Sequence, residues 1–264
     1  MVHLRMMPSM WPIERCLAVG STHLLAIERV REGRARSPFA LVSRDQTAGI
    51  GQHGRAWVSC GDGLALSLAW PQLPGQVVQG LSQDTPPPWP TWLGIAVVEV
   101  LCTRIPEQAA AGLALKWPND ILCHGHKAGG VLVQRLTVSG QGWLVAGIGL
   151  NGRWRVPKPD GLHDAVGLLE LAAPSACVME WVVPLVQAVA DLAQAPQIDA
   201  LAQSSAHAQW DAHIGEPVVL LASSERLEGH SEGVAPDGRL RLRLADGRVV
   251  TRALGAVSLR GVAA

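Results

Sequence analysis

Residues 113–150 read LALKWPNDILCHGHKAGGVLVQRLTVSGQGWLVAGIGL, and the fold turns on this stretch. Short apolar, branched-rich blocks at 113–117, 121–123, 130–138 and 143–150 have strand length and strand character. Between them stand turn formers: Pro118-Asn119-Asp120, His124-Gly125-His126 and the Ser-Gly-Gln-Gly of 139–142. That order predicts a β-meander.

Upstream, residues 91–104 combine small and branched side chains and predict a packed helix. Pro86-Pro87-Pro88 forbids helix in the connection over 71–90. Residues 64–70 and 37–44 are strand candidates flanking a glycine-rich loop at 47–55. Residues 23–30 have an amphipathic helical pattern with Ser21-Thr22 as N-cap. Residues 1–15 are expected to be a poorly ordered leader. Downstream, 153–163 reads as an irregular basic loop and 176–193 as a helix. The polar segment 194–205 continues toward a further helix ending near His213. After Gly215 come five short strands, at 217–222, 227–234, 240–244, 249–254 and 257–260, with Pro236-Asp237-Gly238 and Asp246-Gly247 turns. Tight D-G turns between alternating strands predict a small β-barrel. The chain is therefore expected to be α+β, with a leader over 1–15, a main domain over 16–210 and a barrel over 211–264.

Composition narrows the function. The 264 residues carry 22 Lys+Arg against 22 Asp+Glu, a balance that excludes a nucleic-acid protein working through a global basic field. The 48% hydrophobic content can bury a sizeable core. The five cysteines are scattered, with no C-x-x-C pair, which argues for a reducing compartment and against a disulfide framework or zinc site. The longest apolar run, 93–102, is interrupted by Glu99 and too short to span a bilayer. No signal peptide is recognisable, so a cytoplasmic protein is expected. Arginine outnumbers lysine 19 to three, which singles out Lys116, Lys127 and Lys158.

Two stretches, 49–54 and 147–152, match G-x-G-x-x-G literally. Neither lies between a strand and a helix with an acidic residue further on, so a dinucleotide site is not expected. The first loop is either a backbone cradle for an anion, with Arg55 at its end, or a plain surface loop. Lys116-Trp117-Pro118-Asn119-Asp120 ends a strand abruptly with a cation, an amide and a carboxylate. It can hold Mg²⁺ or orient a nucleotide, or it is a hairpin corner. Lys127 precedes Ala128-Gly129-Gly130, where a ligand can approach the backbone and an ammonium can neutralise a forming acyl-phosphate anhydride. His124 and His126 read as turn residues, not metal ligands, and Trp89, Trp92 and Trp181 as packing. No Ser/His/Asp order stands out for hydrolysis.

Taken together, Gln46-Thr47-Ala48-Gly49-x-Gly51-x-x-Gly54-Arg55-x-Trp57, Leu115 to Asp120, Lys127-x-x-Gly130-Val131-Leu132 and Gly147-Ile148-Gly149-Leu150-Asn151 resemble the motifs of biotin–protein ligases, in that family's order and spacing. Ser21-Thr22 matches the start of its Ser-Thr-Asn motif, and the tail resembles its SH3-like C-terminal domain. The resemblance covers about residues 16–262. It implies a mixed-sheet, class II synthetase-like catalytic domain and a two-step adenylation. Biotin's carboxylate attacks the α-phosphate of MgATP to give biotinyl-AMP and pyrophosphate. A lysine of a biotin carboxyl carrier protein, such as that of acetyl-CoA carboxylase, then takes the biotinyl group and AMP leaves.

By motif, the resemblance assigns the biotin side to Ser21, Thr22, His23, Gln46, Gly49, Ile50, Gly51, Gln52, Lys127 and Gly129. Arg55, Trp57, Lys116, Asn119, Asp120 and Asn151 fall on the nucleotide side. Lys127, Asp120 and Arg55 are the catalytic candidates, with Asp120 serving Mg²⁺ or the attacking lysine. ATP and Mg²⁺ are implied, nucleic acid and membrane are not, and either a monomer or a homodimer fits. A lipoate– or octanoate–protein ligase and a catalytically impaired biotin sensor are the competing readings.

The departures are specific. The family loop usually reads G-R-G-R-x-G-R, whereas here the first two arginines are Ile50 and Gln52. His23 stands where Asn is usual, and Gly129 where Ala is more common. The catalytic motifs begin close to residue 1, so a monofunctional form without a helix-turn-helix domain is expected.

Overall fold

Each apolar block of the opening stretch becomes a strand because one of its faces is sealed against helices. The computed structural model describes residues 11–73, 76–82, 84–160, 162, 165–170, 176–222, 225–253 and 257–261. Strand β1 (Ile13–Arg15) is followed by helix α1 (Thr22–Arg31), β2 (Phe39–Ser43), the short pair β3 (Gly49–Ile50) and β4 (Ala56–Trp57), and the long β5 (Gly61–Pro71). Next come β6 (Val77–Gln79), α2 (Trp89–Cys102) and α3 (Glu107–Ala110). The meander follows as β7 (Leu113–Lys116), β8 (Asp120–Cys123), β9 (His126–Val138) and β10 (Gln141–Trp154). Then α4 (Val182–Gln194), β11 (Gln197–Asp199) and α5 (Ala200–Trp210) lead to β12 (Pro217–Ala222), β13 (Arg226–Val234), β14 (Leu240–Arg243), β15 (Val249–Arg252) and β16 (Val257–Gly261).

The main sheet has seven strands in the order β1-β2-β5-β10-β9-β8-β7. Only β1–β2 is parallel; the remaining pairs are antiparallel, so the sheet is mixed. Leu66, Leu68, Val131, Leu144 and Ile148 face a core that α2 and α4 complete with Trp92, Leu93, Val97, Leu185, Val186 and Val189. Four tryptophans form a chain through this core. Trp11–Trp70 and Trp70–Trp89 have ring centroids 5.6 Å apart, and Trp89–Trp92 5.4 Å. A chain with one Phe and no Tyr thus uses indole as its large aromatic filler. On the opposite face, α1 lays Ala26, Ile27 and Val30 over Ala69, Trp143 and Val145.

Several expectations change. The leader expected over 1–15 is only partly testable, because residues 1–10 lie outside the described residues. Residues 11–15 belong to the fold: Trp11 is buried and β1 pairs with β2. Arg153 and Trp154, expected in a loop, extend β10. The arginines there have a structural task. Arg44 at 2.5 Å, Arg153 at 3.6 Å and Arg155 at 3.8 Å surround the buried carboxylate of Asp62. Lys158 lies over the Trp154 ring at 5.6 Å. The segment expected to run from 194 into a helix first makes β11, parallel to β6.

The tail folds as a five-stranded antiparallel sheet, β15-β14-β13-β12-β16. Its core of Val218, Leu220, Val234, Leu240, Leu242 and Leu259 also contains Trp117. Trp117 is 1% exposed and its indole N–H donates to the Gly238 carbonyl at 3.0 Å. The tail is therefore joined to the main sheet at the end of β7.

Candidate functional site

Directly opposed residues of antiparallel strands share a face. Across the sheet, Ala65, Gly149, Gly130 and Asp120 are aligned in one row, and Ser67, Gly147 and Leu132 in the next. The residues between them, Leu66, Ile148 and Val131, point into the core. The Gly-Ile-Gly of β10 is thus an alternation in which small residues face the site and Ile148 faces the helices.

Those glycines make room. A Cβ on Gly149 would lie 2.6 Å from Trp57 Cζ2, and one on Gly147 would lie 3.0 Å from His23 Nδ1. Trp57 belongs to the β3–β4 hairpin, so the glycine floor lets that hairpin lie down on the sheet. Together they enclose a cavity of about 230 Å³. One end is polar. Gln46 Oε1 accepts from the Thr22 N–H at 2.8 Å and its hydroxyl at 3.1 Å, and the Thr22 and Ser67 hydroxyls share a hydrogen bond of 2.8 Å. At the other end the Lys127 ammonium meets Asp120 Oδ1 at 2.5 Å.

A β-bulge makes that ion pair possible. Asp120 is opposite Gly130 and Ile121 opposite Gly129, but Leu122 is opposite Lys127, so Ala128 is extra. In an unbroken strand, residues three apart face opposite sides. The extra residue puts Lys127 and Gly130 on the same side, with Asp120.

Twelve of the predicted residues line the cavity: Thr22, His23, Gln46, Ile50, Gly51, Gln52, Arg55, Trp57, Lys116, Asn119, Asp120 and Lys127. Four do not. Ser21 caps α1, its hydroxyl accepting from the Leu24 N–H at 3.4 Å. Gly49 sits where a Cβ would meet the Trp57 carbonyl oxygen at 2.6 Å, so it closes the hairpin. Gly129 faces the core side, where a Cβ would meet the Gly149 carbonyl oxygen and Leu150 Cδ2, each at 2.7 Å. Asn151 is buried and donates to the Lys127 carbonyl at 3.4 Å, which ties down the lysine's backbone. Asn119 combines cavity lining with a turn role, donating to the Val131 carbonyl at 2.9 Å.

Sequence reading missed Ser67, Ala65, Leu132 and Leu259, all on the cavity wall. Ser67 carried a signal, since it is the one hydroxyl in the apolar run of β5. Leu259 carried none, because it arrives from the tail. Among the described residues Asp120 is the one carboxylate on the wall, and no cluster of three His, Cys, Asp or Glu occurs. His124 lies in the β8–β9 turn as expected, whereas His126 opens β9 opposite Cys123.

Two family profiles match the chain. That of the biotin/lipoate A/B protein ligase family covers residues 18–151, and that of the biotin protein ligase C-terminal domain covers 213–260. A biotin–[acetyl-CoA-carboxylase] ligase of Mycobacterium tuberculosis is 32% identical over 160 residues, 59% of this chain and 54% of that protein. The match thus spans about half the length of that relative. A biotin–[acetyl-CoA-carboxylase] ligase of Paracoccus denitrificans is 30% identical, over 80% of this chain and 86% of that one. Among solved structures, a biotin protein ligase from Aquifex aeolicus, in complex with biotin and ATP, has a TM-score of 0.73. It is 24% identical and the match covers 95% of this chain and 99% of that one, a likeness of fold.

Proposed function

The chain belongs to the biotin/lipoate A/B protein ligase family, and from that premise we propose that it is an ATP-dependent biotin–protein ligase. The observation that carries this reading is one cavity with two chemically distinct ends, a hydrogen-bonding head end at Thr22, Gln46 and Ser67 and a charged end at Lys127 and Asp120. A ligand with a polar ring at one end and a carboxylate at the other fits that polarity.

In the first step the biotin carboxylate attacks the α-phosphorus of MgATP and pyrophosphate leaves. Lys127 offsets the negative charge shared by the carboxylate and the phosphoryl group as the anhydride forms. Asp120 would be the residue to hold a Mg²⁺ brought by the nucleotide, and the ion would offset phosphate charge there. Lys116, Asn119, Arg55 and Trp57 serve the nucleotide. The segment Ile50, Gly51, Gln52 covers the intermediate and keeps water from the anhydride. In the second step a carrier lysine attacks the acyl carbon, AMP leaves, and Asp120 steers the incoming amine and its proton. The partner is a biotin carboxyl carrier domain of an acetyl-CoA carboxylase type. Residues 16–210 supply the chemistry, and 211–264 close one wall through Leu259. The five cysteines are all unpaired, which fits a reducing compartment, the cytoplasm. Among the described residues no helix is long and apolar enough to cross a membrane.

The test is purified protein with biotin, MgATP and a carrier domain, read by pyrophosphate release and by biotin on the carrier. Both signals are expected. Tight biotin binding without pyrophosphate release would indicate an impaired sensor, and no binding at all would overturn the reading. The lipoate alternative is not favoured, since the relatives named above are biotin ligases.

A further inference from the structure

Strand β7 is four residues long and forms one edge of the main sheet, with β8 on its inner side. Its last residue is Lys116, which lies opposite Asp120 and on the cavity wall. On the outer side the chain returns from α5 and closes the edge. Asp211 bridges Leu115 in the parallel sense, and the Ala212 N–H donates to the Leu115 carbonyl at 2.9 Å. That carbonyl and the Lys116 N–H belong to one planar peptide. The hinge between α5 and the tail therefore fixes the peptide plane that leads into Lys116.

The Asp211 side chain shapes that hinge. It is 2% exposed, enclosed by His207 Nδ1 of α5 at 3.7 Å and by β13, where a Cβ on Gly233 would lie 3.7 Å from Oδ2. Oδ1 accepts from the His213 N–H at 2.9 Å, and the Ile214 N–H is a second donor to the carboxylate. Two amides on one carboxylate close the turn over 211–214 and so set where the Ala212 N–H meets β7. Bonds to an ionised acceptor are roughly twice as strong as neutral ones, so the turn is held tightly, at the cost of a buried charge. The hinge is also an electrostatic neighbour of the lysine: burial and then the Lys116 charge push the His213 imidazole down.

We propose that Asp211 is a positioning residue for the nucleotide half of the reaction: its carboxylate holds the hinge turn that seats Leu115 and thereby aims Lys116. The proposal rests on the ATP-dependent ligase reading, which places Lys116 at the nucleotide. Pyrophosphate release, with ATP and biotin varied separately, tests it on the wild type, Asp211→Ala, Asp211→Asn, Lys116→Ala and the double variant Asp211→Ala with Lys116→Ala. Asp211→Ala is expected to raise KM for ATP about tenfold and to leave KM for biotin within about twofold, because the lost aim weakens one charge-assisted contact. Asp211→Asn keeps an acceptor oxygen and should recover most of that loss. On the Lys116→Ala background, Asp211→Ala should add nothing further, since its effect runs through the lysine. A merely structural role would weaken both substrates alike and add to the effect of Lys116→Ala. In the wild type, hydrogen exchange at the Ala212, His213 and Ile214 amides should slow when a non-hydrolysable ATP analogue joins the biotin complex, because coupling between two sites is reciprocal. That measurement stands even if the alanine variant fails to fold. Equal loss for both substrates, additive effects, no recovery in Asp211→Asn, or hinge exchange that ignores the analogue would overturn the proposal and leave the ligase reading intact. A wild type that neither releases pyrophosphate nor binds the analogue would instead overturn the ligase reading itself.

Discussion

Lys127 and Asp120 form an ion pair in which the lysine side chain is 39% exposed and the aspartate 23%. A pair this open to water adds little to folding. Its value lies in the charge it presents to the cavity. Lys127→Ala is therefore expected to cut pyrophosphate release about 100- to 1000-fold while the melting temperature barely moves. A large loss of stability with unchanged turnover would show that the lysine is a hairpin residue only. Ile50 and Gln52 are the reverse case, cavity residues that lack charge where the resemblance expects arginine. Each charge-assisted contact restored to an adenylate is worth about 1.5–3 kcal/mol. Ile50→Arg with Gln52→Arg should slow release of biotinyl-AMP by at least about tenfold in a filter-binding chase, and an unchanged off-rate would contradict this account.

At the scale of elements, the site depends on one hairpin lying on one strand. Gly149 is the contact point, since a methyl there would lie within 2.6 Å of the Trp57 ring. An indole wedged between sheet and hairpin cannot yield without moving the hairpin, and overpacking of this kind costs about 1–3 kcal/mol. Gly149→Ala should weaken ATP binding and speed tryptic cleavage after the exposed Arg55, while β5 and β9, held to β10 by their ladders and by the shared core on the other face, keep their register. ATP binding and Arg55 cleavage that match the wild type would show that Trp57 has room to shift.

At the scale of the whole molecule, Trp117 couples the two parts. It closes β7 beside the site residues Lys116 and Asn119, yet its indole is buried in the core of the tail. Trp117→Ala removes a large buried side chain, worth about 3–5 kcal/mol. A denaturant melt should then separate into two transitions, and adenylate retention should fall because Leu259 leaves the wall. A single unshifted transition would argue against this coupling. Acid acts on the molecule as a whole too. Burial pushes His23 and His207 from 6.5 down to about 4. The unfolded chain therefore takes up protons near pH 6.5 that the fold refuses until about pH 4. Stability is fully present above 6.5 and is lost as pH falls toward 4, by about 3 kcal/mol for each histidine. Asp211, 3.7 Å from His207, is pushed up by burial and offsets part of the loss. Urea melts at pH 7 and pH 5 should show the drop, reduced in His23→Asn. Equal stability at the two values would mean that both rings reach solvent.

Periodicity and turn chemistry were enough to read the meander, α1 with its Ser21 cap, α2 and the five strands of the tail, because each depends on residues close together in the chain. The ordered motifs likewise marked most of the cavity wall. Other features were not legible there. Whether Gly129 or Gly130 faces the site, and that Lys127 can reach Asp120, follow from a bulge at Ala128, and a bulge is a property of two paired strands. That Trp117 anchors the tail, and that Ser67 and Leu259 wall the cavity, depends on which distant segments meet. The sequence by itself determined the elements and the inventory of reactive groups, which are set by local sterics and spacing. Only the tertiary structure decided which groups share a face and which are paired, because register and burial arise between segments far apart in the chain.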